Sequence, residues 1–193
     1  MGLSGLLWIA LNNTAKAGWS VSIRRFAEAT TSFIPFILVF GLILLLGFKK
    51  LFIWADPAVI ATNPVVAAKT AYLNPTFFVV RLLVFVVGCM IFRWVIVGNS
   101  LKQDKTGDDN LTHKNVGPAI GFIVFFALMF SFFSVDLLMS LLPTWYSTIF
   151  GIYCFAGLFQ AGLAFLAIVI VLMRRSGLIL SLIHISEPTR PLY

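Results

Sequence analysis

Asp136 is the residue around which chemistry in this chain most readily gathers. It lies in Ser134–Gly151, SVDLLMSLLPTWYSTIFG, where one apolar run ends, a Pro143 turn follows with Trp145 and Tyr146, and a second apolar run begins. A carboxylate at the edge of bilayer depth is costly and is normally paired or put to use, while Trp and Tyr favour the headgroup level. Two roles fit. Asp136 can carry protons, with Ser140 one turn away and Ser134 nearby to hold water, or it can be a structural acid whose partner is Arg81. Arg81 is expected about one turn inside its helix, and snorkelling to the headgroups is its equally simple alternative. Glu28, close to Arg24 and Arg25, reads as an interfacial ion-pair residue more readily than as a proton entry point.

Other chemistries lack their residues. The two histidines are His113 in a polar stretch and His184 near the end, so the axial pair of a membrane haem is missing from the spans. Cys89 and Cys154 both lie in apolar runs and form no CxxC or CxxCH pattern, which argues against iron–sulfur, zinc or c-haem attachment and against a disulfide framework. There is no glycine-rich phosphate loop and no nucleophile–base constellation. Metal ligands are expected to be none, and the chain is not expected to be an enzyme alone.

The elements that must position these residues are membrane helices. The chain is 60% hydrophobic and 11% charged with 20 Phe, far below the charge of a soluble domain. Four full spans are expected at about 31–48, 76–97, 118–142 and 147–173, after a partial span at about 1–15. Pro75 and Pro118 stand at helix starts and Pro143 at a helix end. The expected fold is an all-α, multi-pass integral membrane bundle, since lipid offers the backbone no partners. Lys16, Arg24, Arg25, Arg93, Lys102, Lys105, Lys114, Arg174 and Arg175 fall on one side, against Lys49, Lys50, Lys69 and Arg81 on the other. The richer side is expected to be cytoplasmic, and the +7 charge reads as orientation rather than nucleic-acid affinity. The mixed-charge stretch 102–110 reads as a solvated connector. Gly117-x-x-x-Gly121, with Gly157, Ala161 and Ala164, suggests close helix packing, and Gln160 can hydrogen-bond across helices. Trp54, Tyr72, Trp145 and Tyr146 fit one aromatic belt, with Trp19 and Trp94 on the other side.

Several blocks resemble one family. The Ser134–Gly151 segment, Ala17-Gly18-Trp19-Ser20-Val21 followed by Arg24, Arg25 and Glu28, Tyr72-Leu73-Asn74-Pro75 through Phe77, Phe78 and Arg81, and Gly98–Asp104 occur in the order found in membrane subunits of alternative complex III. This is the bacterial quinol:cytochrome c oxidoreductase, and the likeness is to its ActF-like subunit of the NrfD superfamily. The blocks span about residues 10 to 175. The resemblance implies four-helix-bundle units in the bacterial inner (cytoplasmic) membrane and a nearby quinol or quinone pool. It also implies an NrfD-like sister subunit, with haem and iron–sulfur clusters carried by multihaem cytochrome c and iron–sulfur partners. No cofactor is expected on this chain itself. Proton translocation is a role proposed for such subunits, whereas quinol oxidation belongs more naturally to the sister subunit. Thr144 stands where the family often has a histidine, and the Lys49–Trp54 segment lacks histidines often found there, so roles of those histidines do not carry over.

The ends read differently. Leu180–Arg190, LSLIHISEPTR, resembles a translated transposase mosaic-end adapter from sequencing-library preparation, so 180–193 is expected to be non-native and 1–179 a membrane fragment of a longer NrfD-like protein. The alternatives to a respiratory subunit are a secondary transporter bundle and the quinone-binding anchor of a molybdoenzyme. Polar helix interiors or Gly/Pro-broken paired spans would favour the transporter, and this sequence shows few.

Overall fold

The computed structural model describes residues 1–108 and 110–176; the adapter-like stretch 180–193 lies outside them. Within them the chain is helical: α1 (Gly2–Thr14), α2 (Val21–Thr30), α3 (Phe36–Leu46), α4 (Phe48–Leu51), α5 (Pro57–Thr62), α6 (Pro64–Ala68), α7 (Pro75–Thr106), α8 (Asn110–Lys114), α9 (Val116–Leu137) and α10 (Phe150–Arg175). Four stretches are long and apolar enough to cross a membrane: Ile23–Leu46, Pro75–Thr106, Asn110–Leu141 and Phe150–Arg175. Phe40, Leu42, Ile43, Leu46 and Leu128 lie exposed along them, an apolar exterior that suits lipid and not water. The protein is an all-α, multi-pass membrane protein.

The spans reach further than their apolar runs. The first begins near Ile23, ahead of the expected Thr31, because Arg24 and Arg25 are paired with Glu28 and Asp104 and the helix need not end at its charges. Pro35 has no N–H to continue the ladder, so the chain passes it through a 3-10 turn, with Ile34 N–H donating to the Thr31 carbonyl and Leu38 N–H to that of Pro35. Helix α7 runs 32 residues and takes in Leu101–Thr106, which the sequence assigns to a connector. Asn74 caps its start by accepting from Phe77 N–H, Pro75 occupies the first turn, and Gly107 at φ 68° ends it in the left-handed conformation. The segment between the first two spans is helical as well. Asp56-Pro57 and Asn63-Pro64 repeat the same capped start for α5 and α6.

Helix α1 lies at the centre of the bundle, with Gly2 through Ala10 buried against α2, α9 and α10. Its position depends on close approach. A Cβ at Gly5 would come within 1.9 Å of Thr30 Oγ1, and one at Gly162 within 2.3 Å of Ser4 Cβ. The expected glycine contacts are elsewhere: Gly117 and Gly157 meet nothing within 4 Å, and Gly121 meets only the Phe92 ring. The GxxxG pair of α9 is thus no helix seam. The main core joins Leu6, Ile9, Phe85, Cys89, Phe122 and Phe126. A second cluster of Phe48, Phe52, Trp54, Val66, Leu73 and Phe78 caps one end of the bundle. Trp54, expected in an aromatic belt, is only 1% exposed there, packed against Phe48, Phe52 and Phe78. Trp19, Trp94, Trp145 and Tyr146 are exposed.

The contrast between glycines is testable. Gly5→Leu is expected to destabilise by about 1–3 kcal/mol or to block folding, through overpacking against Thr30. Gly117→Leu should stay within about 0.5 kcal/mol of the parent. Thermal unfolding in detergent compares them, and equal losses would contradict the assignment of α1 to the centre.

Candidate functional site

The first turns of α7 and the last turn of α9 meet at the capped end, because the two helices run antiparallel. This brings Arg81 and Asp136 together across 55 residues of sequence. Arg81 Nε donates to Asp136 Oδ2 at 2.6 Å and Nη2 to Oδ1 at 2.9 Å, a two-pronged charge-assisted pair. The side chains are only 9% and 7% exposed. Arg81 Nη1 donates to the Tyr72 carbonyl at 3.2 Å, and the guanidinium carbon lies 3.9 Å from the Tyr72 ring centre and 4.2 Å from that of Phe77. Two aromatic faces therefore add cation–π attraction to the ion pair. The crossing also suits the helix dipoles: the cation sits at the negative end of α9, the anion at the positive end of α7. Snorkelling is not the arrangement Arg81 adopts.

Ser140 joins the site without touching the carboxylate. Its hydroxyl donates to the Asp136 backbone carbonyl, and that of Ser134 to the Ser131 carbonyl, so neither is turned toward a water at the acid. The void against the pair, lined by Phe78, Phe85, Phe132 and Phe133, is about 10 Å³. That is at the lower limit for one water. Arg81 accordingly occupies both carboxylate oxygens in a dry setting, which favours the ion-pair role of Asp136 over the proton-carrying one.

A larger cavity of about 350 Å³ opens beside the pair, lined by Lys69, Tyr72, Val135, Met139, Ser140 and Trp145 among others. Lys69 Nζ donates to the Pro143 carbonyl at 2.6 Å and so ties the cap to the α9–α10 turn. The Tyr72 hydroxyl is buried and makes no hydrogen bond of normal geometry. Burial first, then the Asp136 carboxylate, push its pKa up to about 12, against the opposing pull of Arg81. The phenol is therefore a neutral donor at any physiological pH. Tyr72 was expected in an interfacial belt; it is instead half-buried on the Arg81 guanidinium.

Glu28 belongs to a second cluster at the opposite end of α7. Arg24 Nε lies 3.5 Å from its Oε1, Arg25 Nη1 donates to its Oε2, and Arg25 also pairs with Asp104 and reaches the Ser100 carbonyl. From Arg81 to Asp104 the helix rises roughly 35 Å, about a bilayer core. Asp104, which the sequence places in a connector without chemistry, closes this cluster from the last turns of α7. Asn115 is a further residue that sequence reasoning missed: buried, it donates to the Ile96 carbonyl at 3.0 Å and accepts from Asn99 at 2.9 Å, fixing α9 to α7. Arg93, expected near a helix end, lies mid-way along the lengthened α7, where its Nε donates to Thr31 Oγ1 at 3.2 Å. Among the described residues no group of three or more His, Cys, Asp or Glu is placed to hold a metal ion.

The chain matches no protein-family model and no curated protein.

Removing one partner of a buried pair leaves the other uncompensated, so Asp136→Ala is expected to destabilise by about 3–5 kcal/mol. Asp136→Asn should lower folded yield, and adding Arg81→Gln should recover part of it; a double-mutant cycle without coupling would show the pair to be dispensable. The Tyr72 shift has its own signature. A folded pKa raised from 10.0 to about 12 gives a contribution that is complete below pH 10 and lost as pH rises toward 12. Tyr72→Phe should remove that part of the alkaline fall in melting temperature, read as the difference between the two proteins' pH profiles.

Proposed function

We propose that this chain is an integral membrane subunit of a bacterial respiratory quinol:cytochrome c oxidoreductase of the alternative complex III type. One observation carries the reading: the segments that resemble the family pair up in space. Tyr72–Arg81 meets the Asp136 segment in the buried ion pair at one end. Arg24, Arg25 and Glu28 meet the Gly98–Asp104 segment in the charged cluster at the other. Residues that share a family pattern and also bond one another across 55 to 79 positions form one framework. Four membrane-crossing helices agree with such a subunit.

In this reading the chain holds no haem or iron–sulfur cluster. Electrons pass through iron–sulfur and multihaem cytochrome c partners, and quinol is oxidised beside an NrfD-like sister subunit in the inner membrane. Arg81 and Asp136 serve as a structural lock that keeps the two long spans in register. The adjoining cavity, apolar apart from Lys69 and Ser140 in its lining, has the chemistry for a ring compound with a polar end, which a quinol provides. Any contribution to proton translocation rests on Asp136 exchanging its Arg81 partner during turnover.

The test is affinity purification of the tagged protein from its host membrane. Haem-bearing and iron–sulfur subunits are expected to come with it, while the separated subunit shows no haem absorption. Purification alone, or beside transporter components only, would contradict the assignment. Orientation is checked with Asp108→Cys, expected to react with an impermeant thiol reagent only from the cytoplasmic side.

A further inference from the structure

The basic end of the bundle contains a polar pocket that the quinol-oxidoreductase reading does not use. It forms where the end of α1, the turn into α2 and the α8–α9 junction meet, and has a volume of about 180 Å³. Lys16, Arg24 and His113 line it with Asn13, Ser20 and Thr112, and none of its lining side chains is acidic. Some of its donors are satisfied, Ser20 by the Ala17 carbonyl and Thr112 by Gln103, and others are not. Asn13 Nδ2 is buried with no hydrogen bond, and Arg24 Nε lies 3.5 Å from Glu28 Oε1 as an ion pair without hydrogen-bond geometry. The Lys16 ammonium has no partner among the described residues. A buried amide donor and an unpaired lysine in a pocket with no acidic lining side chain form an incomplete arrangement, since such groups normally find an acceptor.

Local backbone geometry presents the cation. Helix α1 ends with Ala17 N–H donating to the Asn12 carbonyl and Lys16 N–H to that of Asn13, the paired bonds that close a helix through one left-handed residue. That residue is usually glycine; here it is Lys16 at φ 50°. A lysine accepts the strain and sets its side chain at the pocket rim. Trp19 and Val21, 66% and 58% exposed, stand just beyond in the turn into α2 and supply an apolar flank at the level where Trp sits in membranes.

We propose that this pocket binds a phosphate group, of the kind an anionic phospholipid headgroup presents, with the acyl chains running along the Trp19–Val21 flank. Asn13 and Lys16 donate to the phosphate oxygens, and Arg24, whose charge Glu28 shares, lines the wall beside them. A phosphate meets the unfilled Asn13 donor and the Lys16 charge together, whereas a zwitterionic headgroup places its cation beside Lys16.

The intact chain in zwitterionic detergent micelles is titrated with phosphatidylglycerol, with phosphatidylcholine, or with inorganic phosphate, reading melting temperature and lipid retained in native mass spectrometry. Phosphatidylglycerol should stabilise and be retained while phosphatidylcholine does not; a response to inorganic phosphate alone would support the same site with a soluble anion as its occupant. Lys16→Gly is the decisive variant, because glycine suits φ 50° and the fold keeps its helix end while the cation is lost. It should bind phosphatidylglycerol about fivefold more weakly with an unchanged or higher melting temperature in lipid-free micelles. Lys49→Gln, at the other end, should bind as the parent does. Equal retention of both lipids with no response to phosphate, or undiminished binding by Lys16→Gly, would overturn the proposal.

Discussion

Within lipid a charge has no water to turn to, and the Arg81–Asp136 pair shows how this chain meets that constraint. An isolated guanidinium or carboxylate near the membrane edge would have to snorkel to the headgroups or bear the cost of its own desolvation. Here the two satisfy one another in a fork, the remaining guanidinium edge bonds the Tyr72 carbonyl, and two aromatic faces fill the space water would take. The pairing requires α7 and α9 to meet at one height and one rotation. Sliding either helix by a turn, about 5.4 Å, would leave both charges unpaired. The capped end depends on that register: Phe78, one turn before Arg81 on α7, reaches the Phe48–Trp54 cluster, and Lys69 reaches Pro143 only if α9 ends where it does.

The opposite end applies the same physics with more water at hand. Glu28, Arg24, Arg25 and Asp104 form a network between α2 and α7, and Asn115 with Asn99 holds α9 to the same helix. Helix α7 is therefore fixed at both ends by polar contacts and along its length by Phe85, Cys89 and Ile96 in the core. Between these points dispersion does the work. Gly88 lets the Phe125 ring lie against the α7 backbone, where a Cβ would fall 2.2 Å from the ring edge, and α1 fills the centre through Gly5 and Gly162. Without a hydrophobic drive between helices in lipid, such close packing and the buried polar contacts carry the association.

Sequence made the spans legible because their signal is long: four apolar runs between Thr31 and Met173 keep their length although Arg81, Arg93 and Asp136 fall within them. Their ends were less legible. Apolar composition marks where lipid begins, yet α7 continues to Thr106 because Asp104 pairs with Arg25 and Gly107 supplies the left-handed stop. Topology put Arg81 and Asp136 on one side, since alternating spans do so, but left pairing and snorkelling equally open, because only the rotation of α7 against α9 decides between them. The orientation of Ser140 did not, because spacing of four residues places a hydroxyl equally well over its own backbone carbonyl or beside a carboxylate. Trp54 and Tyr72 were misplaced for a related reason. Aromatic residues next to spans are read as belt residues, and only the fold of the 48–74 segment, started by the Asp56-Pro57 and Asn63-Pro64 caps, turns Trp54 inward and lays Tyr72 on Arg81.

The distribution of fixed and unfixed surfaces bears on how such a bundle works within a membrane. Polar contacts join α2, α7 and α9, whereas α10 meets the others through apolar side chains and the Gly162–Ser4 and Gly151–Ser131 approaches. A cavity of about 520 Å³ opens between α9 and α10, reached by Gln160, Ser134 and Tyr153. Apolar contacts have no preferred direction, but the Gly162–Ser4 approach leaves no room for a Cβ and so sets the height of α10 against α1. The Pro143 turn that joins α10 to α9 is held to the capped end by Lys69 alone among the described side-chain hydrogen bonds and ion pairs. Helix α10 is therefore seated by shape at Gly162 and Gly151, where α7 and α9 are seated by charge at Arg81 and Asp136.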